Sequence, residues 1–178
     1  MAVVPPLTVI EHLHDLLTDV RRHVPERSIR WTSPERWHVT LAFMGDPDED
    51  VDEDVAEHLA PLEQQPSIAQ ARLAGAGAFG RQVLWIGLED SPALDTLAGV
   101  ARSIPALVRG TGVVPDRRAW RPHLTIARLR AGSPDVLVHA LAAYRGPAWD
   151  IDELHLVRSS GGAQPVHRIV ASLPLQPV

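Results

Sequence analysis

The chain has 178 residues, no cysteine and a formal net charge of −5, and all of its 17 basic residues are arginine. A chain of this length can bury about 70% of the surface that its unfolded form exposes, so a single domain needs no disulfide or structural metal. The absence of cysteine excludes disulfides, thiolate zinc sites and cysteine nucleophiles and favours a reducing, cytoplasmic location, while the acidic balance argues against a protein that holds long nucleic acid through its phosphates.

Hydrophobic periodicity predicts elements along the whole chain. The N-terminal segment MAVV is a very short strand, and we expect the true start of this strand to lie further upstream. Apolar residues at helical spacing predict helices with one buried face, and alternating or continuous apolar runs predict strands. The predicted helices are 9–24, 51–63, 91–104 and 134–144, and the further predicted strands are 37–45, 68–74, 82–88, 121–128, 151–159 and 167–175.

Two unusual stretches have plain interpretations. DPDEDVDEDVAE at 46–57 places carboxylates at the start of the second helix, which suits the helix dipole, and it lacks the ligand spacing and glycine of a calcium loop. AGAGAFG at 74–80 lacks the order GxGxxG and does not open a helix. A loop between two strands is therefore predicted there, and residues 28–37 are predicted to be a connector.

The order of the elements indicates the class of fold. Helix, strand, helix, strand pair, helix, strand, helix and strand pair follow one another, so one pattern occurs twice. It predicts an α+β fold with two pseudo-symmetric lobes, each an antiparallel sheet with outer helices, whose sheets face a central cleft. We expect residues 1–178 to form one two-lobed domain.

A short motif occurs twice, once in each predicted lobe. RWHVTLAF occupies residues 36–43 and RPHLTIAR occupies residues 121–128, so His-x-Thr-x stands at 38–41 and at 123–126. On a strand, the histidine and the threonine share one face while the apolar residues face the other way. A single His-x-Thr is most often a satisfied histidine beside a β-favouring threonine. Two copies in the same apolar frame indicate a shared site: His38, Thr40, His123 and Thr125.

Two imidazoles and two hydroxyls in one cleft suit a displacement at phosphorus. One imidazole can remove a proton from the attacking oxygen while the other protonates the leaving oxygen. An arginine would stabilise the charge, because its fork matches phosphate geometry. Arg128 stands at an odd offset from His123 and needs a bulge or a twist to reach the same face. Arg121 has the favourable parity, but Pro122 follows it, so both arginines are candidates.

The remaining histidines predict no metal centre. They form no HExxH or comparable pattern, so surface positions are expected for most of them, and no metal or other cofactor is expected. A Ser-His-Asp triad would lack its usual GxSxG turn. These histidines are His12, His14, His23, His58, His139, His155 and His167.

With these residues in place, the sequence resembles a known family. HVTL and HLTI, the context RPHLTIAR, the preceding SPERWHVTLAFMG and the closing LHLVRSS are similar to the two-histidine phosphoesterase superfamily. Within it, the likeness is to the bacterial and archaeal RNA 2',3'-cyclic phosphodiesterases, also called 2'-5' RNA ligases, and it covers nearly the whole chain. Trp37 departs from the family, which more often has a smaller or polar residue there. Its indole could stack on a nucleobase or pack in the core.

The resemblance implies metal-independent hydrolysis of a 2',3'-cyclic phosphate at an RNA end to a 2'-phosphate. It implies that His38 donates a proton to the departing 3' oxygen and that His123 accepts a proton from water. It also implies that phosphate oxygens are bound by Thr40, Thr125 and Arg128. The residues themselves add two possible substrate contacts, Trp37 and Arg121.

Other functions stay open from the sequence. The same groups could act as a phosphodiesterase or ligase on a small cyclic nucleotide or a 2'-5' linked oligonucleotide, or they could belong to a non-catalytic module that binds RNA ends. A monomer whose partners are RNA 3' ends or small cyclic nucleotides is expected. No stretch approaches the ~20 apolar residues of a membrane span, so no membrane partner is expected.

Overall fold

A computed structural model describes residues 1–24, 29–45, 51–159 and 167–177. In these ranges the helices are α1 (Leu7–Arg21), α2 (Asp52–Leu59), α3 (Pro92–Leu107) and α4 (Asp135–Leu141), with 3-10 turns at Pro34–Arg36 and Ala60–Gln64. The strands are β1 (Ala2–Val3), β2 (Ile29–Trp31), β3 (Val39–Thr40), β4 (Ile68–Phe79), β5 (Val83–Leu88), β6 (His123–Leu129), β7 (Arg145–Ile151), β8 (Glu153–Ser159) and β9 (His167–Pro174).

All of these strands belong to one antiparallel sheet. Their order is β7-β4-β5-β6-β3-β1-β8-β9, and β2 pairs with β6 beyond the end of β3. The connection between β3 and β6 is narrow, because a single residue pair, Val39 with Leu124, joins them. This seam divides the sheet into a first lobe, with β1, β3, β8 and β9, and a second lobe, with β4 to β7 and β2.

The helices form where apolar residues repeat at helical spacing. α1 directs Val9, Leu13 and Leu17 inward, and all three are fully buried. α3 has a side-chain cap, because the Ser91 hydroxyl accepts a hydrogen bond from the Leu94 N–H. α1 packs against β7, and α3 and α4 pack against β4. No helix within the described ranges is long and apolar enough to cross a bilayer.

The predicted fold class is confirmed, with a topological difference. The structure is α+β with an antiparallel sheet and two lobes, and each lobe carries one motif strand. The lobes are not the two halves of the sequence, however. The first lobe combines strands from both ends of the chain, and the second takes its strands mainly from the middle.

Several predicted strands differ from those observed. The strand predicted at 37–45 is confined to Val39–Thr40, because the next two amides, of Leu41 and Ala42, donate to the Met1 carbonyl instead. The stretch 74–80, predicted as a loop, continues β4 as far as Phe79. β2 and β7 were not predicted at all. β7 reads RGPAWDI, and its glycine and proline weaken the pattern of a strand.

The acidic run begins a helix as predicted, with Asp52, Glu53 and Asp54 in the first turn of α2. Asp52 also forms an ion pair with Arg158 of β8, at 2.6 Å between Oδ1 and Nη2. The pairing of β8 with β9 confirms the predicted hairpin partners. Residues 46–50 and the predicted hairpin turn at 160–165 lie outside the described residues.

Candidate active site

The two motifs lie side by side at the seam between the lobes. Val39 of β3 pairs with Leu124 of β6, and both side chains are fully buried on the core face of the sheet. Because successive residues of a strand face opposite ways, the residues that flank this pair point to the other face. This cleft face therefore carries all four motif side chains: His38, Thr40, His123 and Thr125.

The antiparallel register crosses the two motifs. Continued by one residue on each side of the buried pair, it sets His38 opposite Thr125 and Thr40 opposite His123. Directly opposed Cβ atoms lie about 4.5–5.5 Å apart, and diagonal ones about 7–8 Å apart. Each imidazole thus has the hydroxyl of the other motif as its neighbour across the strands. The two histidines therefore stand on a diagonal of the paired strands.

Both motif histidines are held by the same backbone contact. His38 Nδ1 lies 2.9 Å from the carbonyl oxygen of Arg36, and His123 Nδ1 lies 2.7 Å from that of Arg121. A carbonyl oxygen only accepts hydrogen bonds, so each Nδ1 carries a proton and donates it. In both rings Nε2 is left to exchange a proton with a substrate.

The surroundings of His38 disfavour its charged form. Burial lowers the pKa of His38 to about 4. The hydrogen bond to the Arg36 carbonyl raises the pKa, and the positive charges of His167, the N-terminal ammonium and His123 lower it further. Without an anion beside it, His38 is therefore neutral at pH 7. A positive charge on His123 also lowers the pKa of His38, so the two histidines are close enough to interact electrostatically.

His167 is a neighbour of the site that no motif indicated. Its ring lies edge to face against His38, with ring centroids 4.9 Å apart. It stands at the start of β9, opposite Ser159 of β8. Burial lowers the pKa of His167, and the nearby charge of Arg36 lowers it further. His167 was predicted to be a surface histidine, because only the pairing of β8 with β9 brings it to the first motif.

Phe79 and Trp85 form an aromatic wall beside His123. The Phe79 ring lies edge-on to His123 with centroids 4.7 Å apart, and the Trp85 ring is 6.4 Å from His123. Trp85 lies over Gly77 of the neighbouring strand, where a β-carbon would collide with the indole. The aromatic wall is thus built on the glycine-rich stretch that the sequence predicted as a loop.

β6 contains a bulge at Ile126. Two consecutive residues of β5 lie opposite Thr125 and Ala127, which are not consecutive, so Ile126 is the extra residue. Ile126 and Ala127 are both fully buried, which means that two neighbouring side chains point into the core. The alternation of faces along β6 therefore restarts one residue late.

The bulge turns Arg128 toward the cleft. Beyond it, Arg128 pairs with Val83, which shares a face of β5 with Trp85, the partner of Thr125. On a regular strand, an offset of five from His123 would have put Arg128 on the core face. The bulge that the sequence required is present, and Arg128 is exposed on the same face as His123.

Trp37 differs from its predicted role as a substrate contact, whereas for Arg121 that role stays a prediction. Trp37 is only 2% exposed, and its Nε1 donates to the Thr32 carbonyl at 3.1 Å. The indole is part of the core, so the prediction that Trp37 contacts substrate is wrong and its packing role is the correct alternative. Arg121 is exposed, and its carbonyl holds His123. Its observed contribution is therefore through the backbone.

A cavity of about 300 Å³ opens beside the first motif. His38 and Thr40 form part of its wall, together with Phe43, Met44 and Val113 among others. No residue of the second motif lines it. The cavity is therefore the part of the cleft on the side of the first lobe.

Comparison with known proteins supports the resemblance found in the sequence. A family model described as the 2'-5' RNA ligase superfamily matches residues 5–163. The RNA 2',3'-cyclic phosphodiesterase of Thermus thermophilus is 30% identical over 167 residues, which cover 89% of this chain and 79% of the relative. That of Geobacillus stearothermophilus is 28% identical over 163 residues, which cover 88% of this chain and 50% of the relative. The chain thus spans about half the length of this second relative.

Solved structures show the same fold. The crystal structure of TT0787 from Thermus thermophilus matches with a TM-score of 0.73 and 25% identity, covering 99% of this chain and 96% of the other. Escherichia coli LigT in its apo form matches with a TM-score of 0.74 and 19% identity, covering 98% and 95%. With the family model matching most of its length, the chain belongs to the 2'-5' RNA ligase superfamily.

Proposed function

We propose that this protein hydrolyses 2',3'-cyclic phosphate ends of RNA to 2'-phosphates, with His38 and His123 as an acid–base pair and without a metal ion. The crossed register carries the proposal, because it sets two imidazoles with available Nε2 atoms on a diagonal and a threonine opposite each. Relatives named RNA 2',3'-cyclic phosphodiesterase support the choice of substrate. Since each lobe supplies one motif, residues 1–178 act as one two-lobed domain.

In the proposed reaction, one proton enters and one leaves the phosphate site. His123 Nε2 removes a proton from a water molecule as the water oxygen attacks phosphorus. The bond between phosphorus and the 3' oxygen breaks, and the 3' oxygen takes a proton from His38 Nε2. The product carries a 2'-phosphate and a 3' hydroxyl. Proton exchange with solvent then restores both imidazoles.

Three further residues stabilise the charge on the phosphate oxygens. The hydroxyls of Thr40 and Thr125 lie on the same face as the imidazoles and donate to non-bridging oxygens. Arg128, brought to this face by the bulge, adds a guanidinium whose two N–H groups suit a pair of phosphate oxygens. The neutral hydroxyls stabilise this charge near the reacting bond, and the guanidinium stabilises it from the edge of the site.

For His38 to donate a proton, substrate binding must first protonate the His38 imidazole. The pKa of about 4 leaves His38 neutral before binding. A phosphodiester is an anion, and an opposite charge within ~4–6 Å favours the imidazolium. Substrate binding therefore brings a proton to the site.

This proton uptake can be measured by calorimetric titration of sulfate at pH 6 in buffers of different ionisation enthalpy. The unaltered protein should take up a proton when sulfate binds, and His38→Gln should abolish the uptake. Uptake that this variant retains would assign the proton to another group.

The proposed function is tested on a defined oligoribonucleotide with a 2',3'-cyclic phosphate end, in EDTA, with separation of the 2'- and 3'-phosphate products. Formation of 2'-phosphate is expected, and His38→Ala and His123→Ala should each lower the rate by about 10²- to 10⁴-fold. His139→Ala, an exposed position on α4, is the matched control. Absence of product, or a metal requirement revealed by EDTA, would contradict the proposal.

Ligation is the second candidate, because the matching family model is described as 2'-5' RNA ligase. A 5' hydroxyl in place of water would give a 2'-5' linkage through the same transfer of protons. Adding a second oligonucleotide with a free 5' hydroxyl to the assay measures this reaction directly. The ratio of joined to hydrolysed product then decides which reaction dominates.

A further inference from the structure

Arg30 of β2 stands beside Arg128 on the cleft face. The two residues are directly paired across β2 and β6, and both are exposed. The residues on either side of Arg30 pair with Leu129 and Ala127, which are buried on the core face. By alternation, Arg30 therefore points to the same face as Arg128, and so to the face of the proposed active site.

This pair of arginines has no compensating charge in the described parts of the chain. Neither side chain makes an ion pair or a hydrogen bond with any residue of ranges 1–24, 29–45, 51–159 and 167–177. Like charges placed directly opposite each other on a sheet are destabilising. An anion bound between or beside the two guanidinium groups would remove this repulsion.

We propose that Arg30 binds the phosphodiester that links the terminal nucleotide to the one before it, while Arg128 holds the cyclic phosphate. The inference rests on the proposed function and specifies its substrate. The preferred substrate is then the end of an RNA chain, and a 2',3'-cyclic mononucleotide, which lacks the second phosphate, is a poorer one.

The arrangement of the sheet suits two consecutive phosphates. Opposed Cβ atoms on paired strands lie about 4.5–5.5 Å apart, so the two guanidinium forks can contact neighbouring phosphate groups. Guanidinium binds phosphate through parallel hydrogen bonds, which gives orientation as well as attraction. Two cations on this edge of the site also agree with a short contact to RNA, in a chain whose net charge is −5.

The test compares a dinucleotide with a 2',3'-cyclic phosphate end and the matching 2',3'-cyclic mononucleotide. Arg30→Ala should lower kcat/KM for the dinucleotide by about tenfold, the usual effect of one charged hydrogen-bonding group, and leave the mononucleotide unchanged. Arg30→Lys should retain part of the preference. The slope of log KM against log salt for the dinucleotide should become shallower by about 0.7 in Arg30→Ala.

Arg102→Ala is the matched control, because it removes an exposed arginine of α3. It should change neither substrate. If Arg30→Ala affects both substrates equally or neither, the inference is overturned and the proposed function stands. If the unaltered protein hydrolyses neither substrate, the proposed function fails and the inference fails with it.

Discussion

His38 and His167 lie edge to face, with ring centroids 4.9 Å apart. Two imidazoles this close oppose each other's protonation, because their charged forms repel. His167 is accordingly one of the charges that lower the pKa of His38 after burial, which is the largest cause. The proposed proton donor therefore depends on a residue from the far end of the sequence.

Replacing His167 should raise the pKa of His38. His167→Gln removes the opposing charge and keeps a side chain of similar size, so the pKa should move part of the way from about 4 towards 6.5. An NMR titration of the His38 Cε1–H signal measures it, with His139→Gln as the exposed control. A pKa that stays the same or falls would show that His167 does not act on His38 through its charge.

Folding stability should fall as the pH decreases from about 6.5 to about 4. In this window the unfolded chain protonates His38 at its ordinary pKa of 6.5, whereas the folded chain protonates it only near 4. The unfolded state binds more protons, so the free energy of unfolding rises with pH. The contribution of His38 is on the order of 3 kcal/mol.

Urea unfolding at pH 7 and pH 4 measures this contribution. The unaltered protein should lose more stability between the two pH values than His38→Gln, whose side chain does not titrate. The difference between the two losses isolates His38 from the other titrating groups. Equal losses would mean that His38 has an ordinary pKa in the folded state.

Gly77→Ala should damage both stability and activity. The new methyl would collide with the Trp85 indole, which borders His123. Overpacking of this kind costs about 1–3 kcal/mol, and a displaced wall beside His123, the proposed proton acceptor, should lower kcat/KM by about tenfold or more. Thermal unfolding measures the loss of stability, and the cyclic phosphate assay measures the loss of activity.

A double variant separates this collision from a general effect of the substitution. Gly77→Ala combined with Trp85→Leu should be less destabilised than the sum of the single variants, because the smaller side chain leaves room for the methyl. Gly99→Ala in α3 is the matched control, since the nearest heavy atom to its new β-carbon is the end of Arg102 at 3.9 Å. Additive effects of the two changes would contradict the collision.

Arg128→Ala should reduce catalysis without reducing stability. The side chain is exposed, so its loss leaves no cavity, but a cation aimed at a phosphate is worth about 10²- to 10³-fold in rate. Arg128→Lys should recover only part of the activity, because an ammonium lacks the fork. A fall in kcat/KM with an unchanged Tm is the expected result, and unchanged kinetics would remove Arg128 from the site.

The helices and the site residues with clear periodicity were predictable from the sequence. Val9, Leu13 and Leu17 follow the helical period, and they are the buried face of α1. The two His-x-Thr motifs fix which side chains share a face, whatever the partner strands are. Parity also predicted that Arg128 needs a bulge, although it could not place that bulge at Ile126.

Features that depend on partners distant in the sequence were not predictable. Gly77 looked like part of a loop because a strand gains nothing from glycine until a large neighbour such as Trp85 needs the space. His167 and Arg30 meet the site only through the pairing of β9 and β2. Trp37 was ambiguous, because an aromatic residue next to a motif suits both a core and a ligand surface.

The order of the strands along the chain determines which lobe can fold first during synthesis. The strands β4 to β7 of the second lobe leave the ribosome as a continuous block, so that most of this half can condense early. β1 and β3 precede this block along the chain, whereas β8 and β9, which complete their side of the sheet, follow it. In the nascent chain, the strands of the second lobe around His123 can therefore form before the strands of the first lobe around His38 are complete. The proposed active site is therefore complete only after residue 174 has been synthesised and β9 has paired with β8.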